Sequence, residues 1–366
     1  MAQSKINAYV NPFPSLTWNF LDINRARMDA VVSFCNVPGT ATIPDGVCTK
    51  DIPFGELDGT YKNIQTGMGT EFDSAFDSGM NAAGSLVKVF SVSGKVPSSV
   101  RLSFDLASLN NAACDVVIDA AEQSDCTFIF DCRNSADECE TTGTFGLRVR
   151  VCAAQNSLIN IVFVNMVSKK DTCFFSLGSA AADSSKVEFT ELELGGKRVY
   201  SGNLQNLFGY QSSFEGRCGY ITRPQSSLDM NYISRQTGRS TSSRMFADGV
   251  VTGDGRKVWR GTIDFVRGCI ESRGDEQENV LLLSPEAVNK TLPVILCDEE
   301  AVEGRHGASI GKLAPEILFY MQSRGIDEKT ARRLMVRAKI SAVCRFICDS
   351  ALVNDINNFV EGVFDE

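Results

Sequence analysis

The chain has 366 residues, of which 43% are hydrophobic and 22% are charged, and its formal net charge is −9. This length exceeds what one core usually organises, so two or three structural regions are expected. The acidic balance excludes a nucleic-acid binder that follows phosphates with basic residues. The chain has thirteen cysteines, 45 acidic residues and a single histidine, His306. Metal sites with several histidines from this chain are therefore excluded, as is histidine-dependent catalysis that does not use His306.

The start of the chain lacks the charged and then apolar stretches of a secretory signal. No apolar run approaches the ~20 residues that a membrane helix needs. These features indicate a cytoplasmic protein with no membrane partner and with reduced thiols. The chain has no Cys-x-x-Cys pair, and its densest group, Cys126, Cys132 and Cys139, matches no zinc or iron–sulfur ligand spacing. The cysteines are therefore interpreted mainly as small buried hydrophobic residues.

Residues 1–95 are predicted to form an N-terminal cap that is irregular or helical. Ser15 or Thr17 is predicted to begin a short helix that continues through Trp18, Leu21 and Ile23. Glycine and proline then recur so often that long elements are not expected before residue 96.

Residues 96–311 are predicted to form the core, which is built from short strands. Alternating runs such as 100–104 and 187–192 predict half-buried strands, and apolar runs such as 158–167 predict strands covered on both faces. Turn signals at 195–196 and 273–275 are predicted to separate strands. No helical periodicity intervenes, which disfavours folds that alternate strands with helices.

A weak internal repeat helps to choose among mainly β folds. Segments 196–204 and 255–263 both read glycine, two cations, valine, an aromatic residue, a polar or charged residue and glycine. Stacked repeats of about 20 residues would be compatible with the offset between the two segments. A β-solenoid is therefore favoured, and a β-sandwich remains the alternative.

Residues 312–366 are predicted to form a helical C-terminal region. Pro315 is expected in the first turn of one helix, and Gly325 is expected to end it. Asp327 is expected to cap a second helix, and a third helix is expected over 351–363. The second helix is predicted to bury apolar residues spaced three and four apart, namely Ala331, Leu334, Met335, Ala338, Ala342 and Phe346. Its opposite face is basic, which suggests a surface for a partner protein.

Several motifs are set aside on chemical grounds. The segment 307–311 matches the Gly-x-Ser-x-Gly elbow of hydrolases, but no histidine follows Ser309 to act as its base. His306 precedes that serine by only three residues and is too constrained to serve. There is no Walker A motif, so the chain is not expected to hydrolyse nucleotides by that route. The acidic cluster at 298–303 is interpreted as a solvated turn rather than a cation site.

The segments 306–313 and 318–326 resemble the C-terminal signature of the SufD family, the scaffold subunits of the Suf iron–sulfur cluster assembly system. Looser similarity includes Gln277, the apolar segments 281–284 and 292–296, and the N-terminal positions 14–18 and Asn24. The resemblance implies a right-handed parallel β-helix flanked by N-terminal and C-terminal helical regions. This agrees with the solenoid that the strand pattern favours.

The resemblance also implies partners and a site. The partners would be a SufB-like paralogue, which pairs along the β-helix, and a SufC-like ABC-type ATPase, which grips the C-terminal helices; a homodimer is expected when SufB is absent. No cofactor would be bound stably, but iron or a transient cluster could contact His306, as metal ligand or proton acceptor, and Cys297 at the SufB interface. The candidates for SufC docking are Phe319, Tyr320, Arg324, Arg332, Arg333 and Arg337.

Two differences from the family pattern sharpen this interpretation. SufD proteins often have a cysteine two residues before the motif histidine, where this chain has Gly304. SufB proteins have a cysteine after a late glutamine, where this chain has Glu278 after Gln277. The chain is therefore interpreted as a SufD-like, non-enzymatic scaffold. A carbohydrate-active β-helix enzyme and a self-associating structural β-solenoid remain the alternatives.

Overall fold

The structure is a computed structural model that describes residues 3–15, 17, 19–37, 41–109, 111–134 and 142–363. The N-terminal region contains strands and helices in the order β1 (Ser4–Val10), β2 (Ala26–Phe34), β3 (Ala41–Thr42), β4 (Val47–Pro53), α1 (Gly59–Lys62), α2 (Thr70–Ala83) and β5 (Leu86–Val92). β1 pairs with β2, and β4 pairs with β5, both in antiparallel register. This region is thus more regular than the sequence predicted.

Two patterns in the sequence explain this N-terminal structure. In β1 every second residue is buried, so one face of the hairpin covers apolar side chains. In α2 the buried residues Phe72, Phe76 and Met80 recur every four positions, which is one face of a helix. The short helix predicted from Ser15 or Thr17 is a 3-10 turn over Asn19–Leu21, and Trp18 lies outside the described residues.

The centre of the molecule is a parallel β-solenoid, as the sequence predicted. Successive strands alternate between two sheets, so that each turn adds one strand to each sheet. These strands are β6 (Val100–Asp105), β7 (Ala112–Ala120), β8 (Asp125–Arg133), β9 (Thr144–Ala153), β10 (Leu158–Met166), β11 (Thr172–Ala181), β12 (Lys186–Glu193), β13 (Arg198–Leu207), β14 (Ser213–Thr222), β15 (Ser227–Gln236), β16 (Ser242–Val251), β17 (Arg256–Phe265), β18 (Arg273–Leu282), β19 (Val288–Cys297) and β20 (Glu303–Lys312).

One turn of the solenoid is longer than the short repeat that the sequence suggested. In-register partners on neighbouring turns include Thr172 with Arg198 and Asp125 with Leu158. The turn is longer because it contains two strands of about ten residues each and two corners. Segment 273–275, predicted as a turn, lies inside β18.

One corner of the solenoid repeats the same geometry from turn to turn. A polar residue has a left-handed backbone conformation, with φ between 54° and 66°, at Gln123, Asn156, Ser184, Gln211, Ser240 and Glu271. The next residue in the first four of these turns is a serine whose hydroxyl donates to the carbonyl three residues earlier, at 2.6–2.9 Å. The pair of a polar residue and a serine is therefore the repeat signal that the sequence offers.

The structure also corrects the alignment of the internal repeat by a single position. Arg198 pairs with Ser227, and Ser227 pairs with Arg256, so the structural equivalent of Arg198 is Arg256 rather than Lys257. Val199 on the inner face therefore corresponds to Lys257, not to Val258. Because strand side chains alternate between faces, this shift decides that Lys257 is buried in the solenoid interior.

The C-terminal helices are α3 (Pro315–Ser323), α4 (Glu328–Cys344) and α5 (Ser350–Gly362), which confirms the predicted helical texture. Pro315 begins α3, and the Asp327 side chain caps α4 by accepting from the Thr330 amide at 2.8 Å. The predicted buried face of α4 was only partly right: Ala331 is buried, but Leu334 is 43% exposed. The residues that α4 buries are Ala331, Val336, Ile340, Val343 and Cys344.

The shift of the α4 face has a tertiary cause. α4 packs on the outer surface of the sheet that contains β12, β14 and β16. Gly219 on β14 leaves room for this approach, because a Cβ there would lie 3.2 Å from the Val343 side chain. Among the helices of the described ranges, none combines the length and apolarity that crossing a membrane requires.

Candidate site at the open end of the solenoid

β19 and β20 are the last strands of their sheets and form one end of the solenoid. No described strand pairs with the outer edge of either. On β20, His306 is exposed and pairs in register with Glu276 of β18. Residues in register on parallel strands point to the same face of a sheet, so His306 continues the row of inward-facing side chains at the open end.

Glu276 is an unusual residue for the interior of a solenoid. Its side chain is fully buried, and neither carboxyl oxygen has a hydrogen-bond partner within the described chain. The carboxyl reaches across the interior to Gly261 on β17, where a Cβ would lie only 2.0 Å from Oε1. Burial, together with the charge of Glu278, raises the pKa of Glu276 to about 8. Glu276 is therefore a protonated acid at neutral pH, directly behind His306.

Glu278, the next inward-facing residue of β18, is by contrast fully hydrogen-bonded. It accepts from Lys257 Nζ, from the Tyr220 hydroxyl at 2.8 Å and from the Thr291 hydroxyl at 2.5 Å. Burial lowers the pKa of Lys257, and the Glu278 charge opposes that effect. The pair is a buried ion pair whose remaining lone pairs are satisfied by hydroxyl groups.

An open depression of about 720 Å³ lies over these residues. Its lining consists of Asp275, Gln277, Glu278, Asn279, Gly304, Arg305, His306, Gly307, Ala308 and Ser309. Cys297 does not line it: this residue ends β19, and its exposed thiol lies 3.1 Å from the carbonyl oxygen of Glu299. The structure thus brings His306 together with Glu276 and Glu278, rather than with Cys297.

The glycine at position 304 is explained by its neighbours. A Cβ on Gly304 would lie 3.0 Å from Ile295 and 3.1 Å from Phe265, so the residue faces the packed interior. A cysteine here would require both side chains to move by a few tenths of an ångström. The site therefore offers an imidazole and carboxyl groups but no thiol at position 304.

Metal binding by this chain alone is not supported by geometry. Within the described ranges, no group of three or more histidine, cysteine, aspartate or glutamate side chains is arranged to hold a metal ion. His306 and Glu276 could supply two ligands of a suitable type. No third side chain in the part of the chain that the structure describes completes such a set.

The predicted docking residues of the C-terminal region divide into two groups. Phe319 and Tyr320 on α3 are 73% and 60% exposed, and Ile317 of α3 and Leu334 of α4 are also exposed apolar residues. Arg324 lies over the Tyr320 ring at 5.4 Å. We call Ile317, Phe319, Tyr320 and Leu334 the α3–α4 apolar patch.

The remaining arginines are already engaged within the chain. Arg332 pairs with Glu328 at 2.6 Å and donates to the Leu283 carbonyl. Arg333 and Arg337 both pair with Glu361 of α5, at 2.5 and 3.3 Å. These side chains hold the helices to each other and to the solenoid, so they are weaker docking candidates than the aromatic residues of α3.

Sequence reasoning missed the buried polar residues Glu276, Glu278, Lys257 and Tyr220. One signal was available: 275–278 reads Asp-Glu-Gln-Glu within a stretch that continues into an apolar strand. An alternating strand with polar residues on both faces must bury some of them. Interpreting 273–275 as a turn concealed this signal.

The sequence comparisons agree with the fold. The family model for the SUF system FeS cluster assembly, SufBD core domain, matches residues 106–339, which is more than half of the chain. The chain belongs to the SufBD family. The match ends within α4 and includes His306, Glu276 and all of the strands from β7 to β20.

Individual SufBD relatives are distant from this chain. The iron-sulfur cluster assembly protein SufD of Bacillus subtilis (strain 168) is 23% identical over 245 residues, which cover 67% of this chain and 55% of that protein. The chloroplastic SufBD family protein ABCI8 of Arabidopsis thaliana is 27% identical over 50% of this chain and 30% of its own length. SufD of Escherichia coli (strain K12) is 28% identical over 31% of this chain and 27% of its own length. The chain therefore spans about half or less of these relatives.

Proposed function

We propose that this chain is a SufD-like scaffold subunit for iron–sulfur cluster assembly, without an enzymatic activity or a nucleotide site of its own. It would pair with a SufB-like paralogue and dock a SufC-like ATPase in the cytoplasm. The observation that carries the proposal is the exposed His306 on the last strand of a SufBD-type solenoid, in register with a buried carboxyl.

The open end is the surface that we assign to the paralogue. β19 and β20 present strand edges there, and such edges readily pair with another chain. The second chain would add ligands for iron or a nascent cluster, which is the cargo rather than a resident cofactor. His306 would ligate the metal or accept a proton, and the protonated Glu276 would add no negative charge until it ionises.

Co-expression with the SufB-like and SufC-like proteins of the same genome tests this proposal. We expect a complex that carries iron and sulfide after purification without oxygen, and we expect His306→Ala to reduce both by at least about tenfold. Glu303→Gln is the matched control, because it changes an exposed side chain on the same strand that does not line the depression. Unchanged iron and sulfide in the His306→Ala complex would remove His306 from the site.

We assign docking of the ATPase to the α3–α4 apolar patch. Large exposed aromatic residues are frequent anchors of protein interfaces, and α3 buries none of its own residues in this chain. Deleting 313–366 is a poor test of this assignment, because it would also expose the solenoid surface under α4. A loss of ATPase binding could then reflect a loss of stability.

Point substitutions separate these effects. Phe319→Asp together with Tyr320→Asp should abolish co-purification of the ATPase while leaving the melting temperature within a few degrees. Phe208→Asp, at an exposed aromatic residue elsewhere on the solenoid, is the control. Retained binding by the α3 variant would contradict this assignment.

The two alternatives receive less support from the structure. The carboxyl pairs Glu276 with Glu278 and Glu191 with Glu193 are at most 1% exposed, so a polysaccharide could not reach them. Self-association through the strand edges would give a homodimer without iron or sulfide. Size measurement of the chain expressed alone, compared with the co-expressed complex, distinguishes that outcome.

A further inference from the structure

Two cysteines meet where the N-terminal hairpin joins the solenoid. β2 runs parallel to the start of β7, with Ser33 opposite Ala112 and Phe34 opposite Ala113. The next residue, Cys35, donates its amide to the Ala113 carbonyl at 3.0 Å. Its Sγ lies 3.5 Å from Sγ of Cys114. The two sulfur atoms are therefore in van der Waals contact, although the residues are 79 positions apart.

The backbone around these sulfur atoms suits a disulfide. Cys35 and Cys114 follow the paired residues of two adjacent parallel strands, which lie about 4.8 Å apart. The Cα atoms of disulfide-bonded cysteines are usually about 4.4–6.8 Å apart. Bond formation thus requires the two sulfur atoms to approach each other and does not require the strands to separate or slide.

The two thiols differ in their environment. Cys35 is half-buried and can be reached from solvent, whereas Cys114 is fully buried on the inner face of β7. The hydrogen bond from the Cys114 thiol lowers the pKa of Cys35. The same hydrogen bond and burial raise the pKa of Cys114 well above its usual value. Cys35 is therefore the thiol of the pair that ionises more readily, and Cys114 is the neighbour that more readily keeps its proton.

We propose that Cys35 and Cys114 form a hydroperoxide-sensitive pair that closes to a reversible disulfide. The Cys35 thiolate attacks one oxygen of the hydroperoxide, the O–O bond breaks, and hydroxide or alkoxide leaves, so Cys35 becomes a sulfenic acid. The Cys114 sulfur then displaces the hydroxyl group from Cys35, and its proton leaves with that group as water. Two thiols are oxidised by two electrons, and one hydroperoxide is reduced.

The disulfide would join the N-terminal hairpin covalently to the solenoid. The hairpin and α2 share one apolar cluster, which includes Phe34 next to Cys35 and Phe76 of α2. In the reduced chain β2 is held to β7 by only a short paired segment. Oxidation would therefore add a covalent link to a contact that the apolar cluster already makes, and a dithiol reductant would remove that link.

A second pair within the chain serves as an internal comparison. Cys132 and Cys173 are hydrogen-bonded neighbours, but both are fully buried in the solenoid. Cys48 and Cys348 are exposed. If burial prevents the reaction of Cys132 and Cys173, and isolation prevents the pairing of Cys48 and Cys348, then none of these four cysteines should form an intramolecular disulfide at low oxidant concentration.

The test uses the full-length reduced chain and hydrogen peroxide as the oxidant, followed by alkylation of the remaining thiols and peptide mass spectrometry. We expect a peptide that links Cys35 to Cys114, lighter by two hydrogens, and formed roughly tenfold faster than oxidation of Cys48 or Cys348. Dithiothreitol should reverse it. Cys114→Ala should leave a sulfenic acid on Cys35 that reacts with dimedone, and Cys35→Ser should form neither product.

Two results would overturn the proposal. One is full alkylation of Cys35 and Cys114 in the wild-type chain after Cys48 and Cys348 have been oxidised. The other is a disulfide that joins Cys35 to any different cysteine. Because both are measured on the wild-type chain, the conclusion does not depend on whether the variant at the buried Cys114 folds. The result is also independent of the proposed assembly function, since it needs no partner.

Discussion

The two halves of the solenoid interior are stabilised by different means. In the upstream half, aromatic rings fill the space between the sheets: the centroids of Phe163 and Phe175 are 4.1 Å apart, and those of Phe175 and Phe189 are 5.6 Å apart. In the downstream half, the in-register rows of Phe163 and Phe189 lead to Glu278 and Glu276, and Lys257 is buried beside Glu278. The row of Phe175 leads to another aromatic residue, Trp259. The same backbone repeat therefore supports two kinds of core.

The difference has an energetic consequence. Apolar burial stabilises the upstream turns directly, by roughly 25 cal/mol for each Å² removed from water. A buried ion pair largely offsets its own desolvation cost and adds little net stability. The turns that carry His306 are thus expected to be the less stable part of the solenoid, at the end that we assign to partner binding.

The largest expected effect is in the aromatic half. Phe175→Ala removes the ring between Phe163 and Phe189 and leaves a cavity, so the free energy of unfolding should fall by about 3–5 kcal/mol. Urea denaturation followed by tryptophan fluorescence or circular dichroism measures this. Phe175→Leu, which refills much of the volume, should recover more than half of the loss; a loss below about 1 kcal/mol for Phe175→Ala would mean that the upstream core is not the more stable one.

The next effect concerns the buried ion pair. Lys257→Met leaves Glu278 buried without its cation, and the free energy of unfolding should fall by about 3 kcal/mol at pH 7. Lys257→Met combined with Glu278→Gln removes both charges and should restore most of that loss. If the double variant is as unstable as the single one, packing rather than charge holds this part of the core.

A pH-dependent effect should follow from Glu276. Its pKa is raised in the folded chain from 4.5 to about 8, so the protonated acid favours folding. Its contribution is complete below about pH 4.5 and is lost as the pH rises through 8. At pH 9, Glu276→Gln should therefore be more stable than the wild type by at least about 2 kcal/mol, whereas at pH 4 the two should be similar.

Glu276→Asp serves as the control for that titration, because it keeps an ionisable group at the site. Thermal melts of the three proteins between pH 4 and pH 9 give the comparison. Parallel pH profiles for the wild type and Glu276→Gln would show that Glu276 does not titrate in this range.

The smallest effect tests whether the halves differ only in their interiors. Ser157 and Ser212 occupy the same corner in the upstream and downstream halves, and each donates to the carbonyl three residues before it, at 2.6 and 2.9 Å. Replacing either serine with alanine should cost about 1 kcal/mol. Clearly unequal costs would show that the corners also contribute to the difference.

Several features were predictable from particular residues. Pro315 at a helix start and Asp327 as a cap depend on local backbone chemistry, and both are confirmed. The alternating and apolar runs also located strands correctly. The buried face of α4 was not predictable, because Leu334 and Val336 are both apolar and only the position of the helix on the sheet selects between them.

The candidate site was predictable only in part. The motif around His306 drew attention to that residue, but Cys297, chosen for its proximity in sequence, lies outside the depression. Glu276, which precedes His306 by one turn of the solenoid, is the in-register neighbour. Of the cysteine group singled out by density, Cys132 is buried as expected, whereas Cys139 lies outside the described residues.

By itself, the sequence determined the β-solenoid class and the helical C-terminal region, because these depend on residue type and short-range periodicity, and a local motif drew attention to His306. Only the tertiary structure decided the register between turns. A shift of one residue in a strand exchanges its inner and outer faces, and this is why Lys257 is buried beside Glu278 while Val258 is not. Strand register depends on contacts between residues that are a whole solenoid turn apart, and a single sequence does not specify those contacts through local propensity.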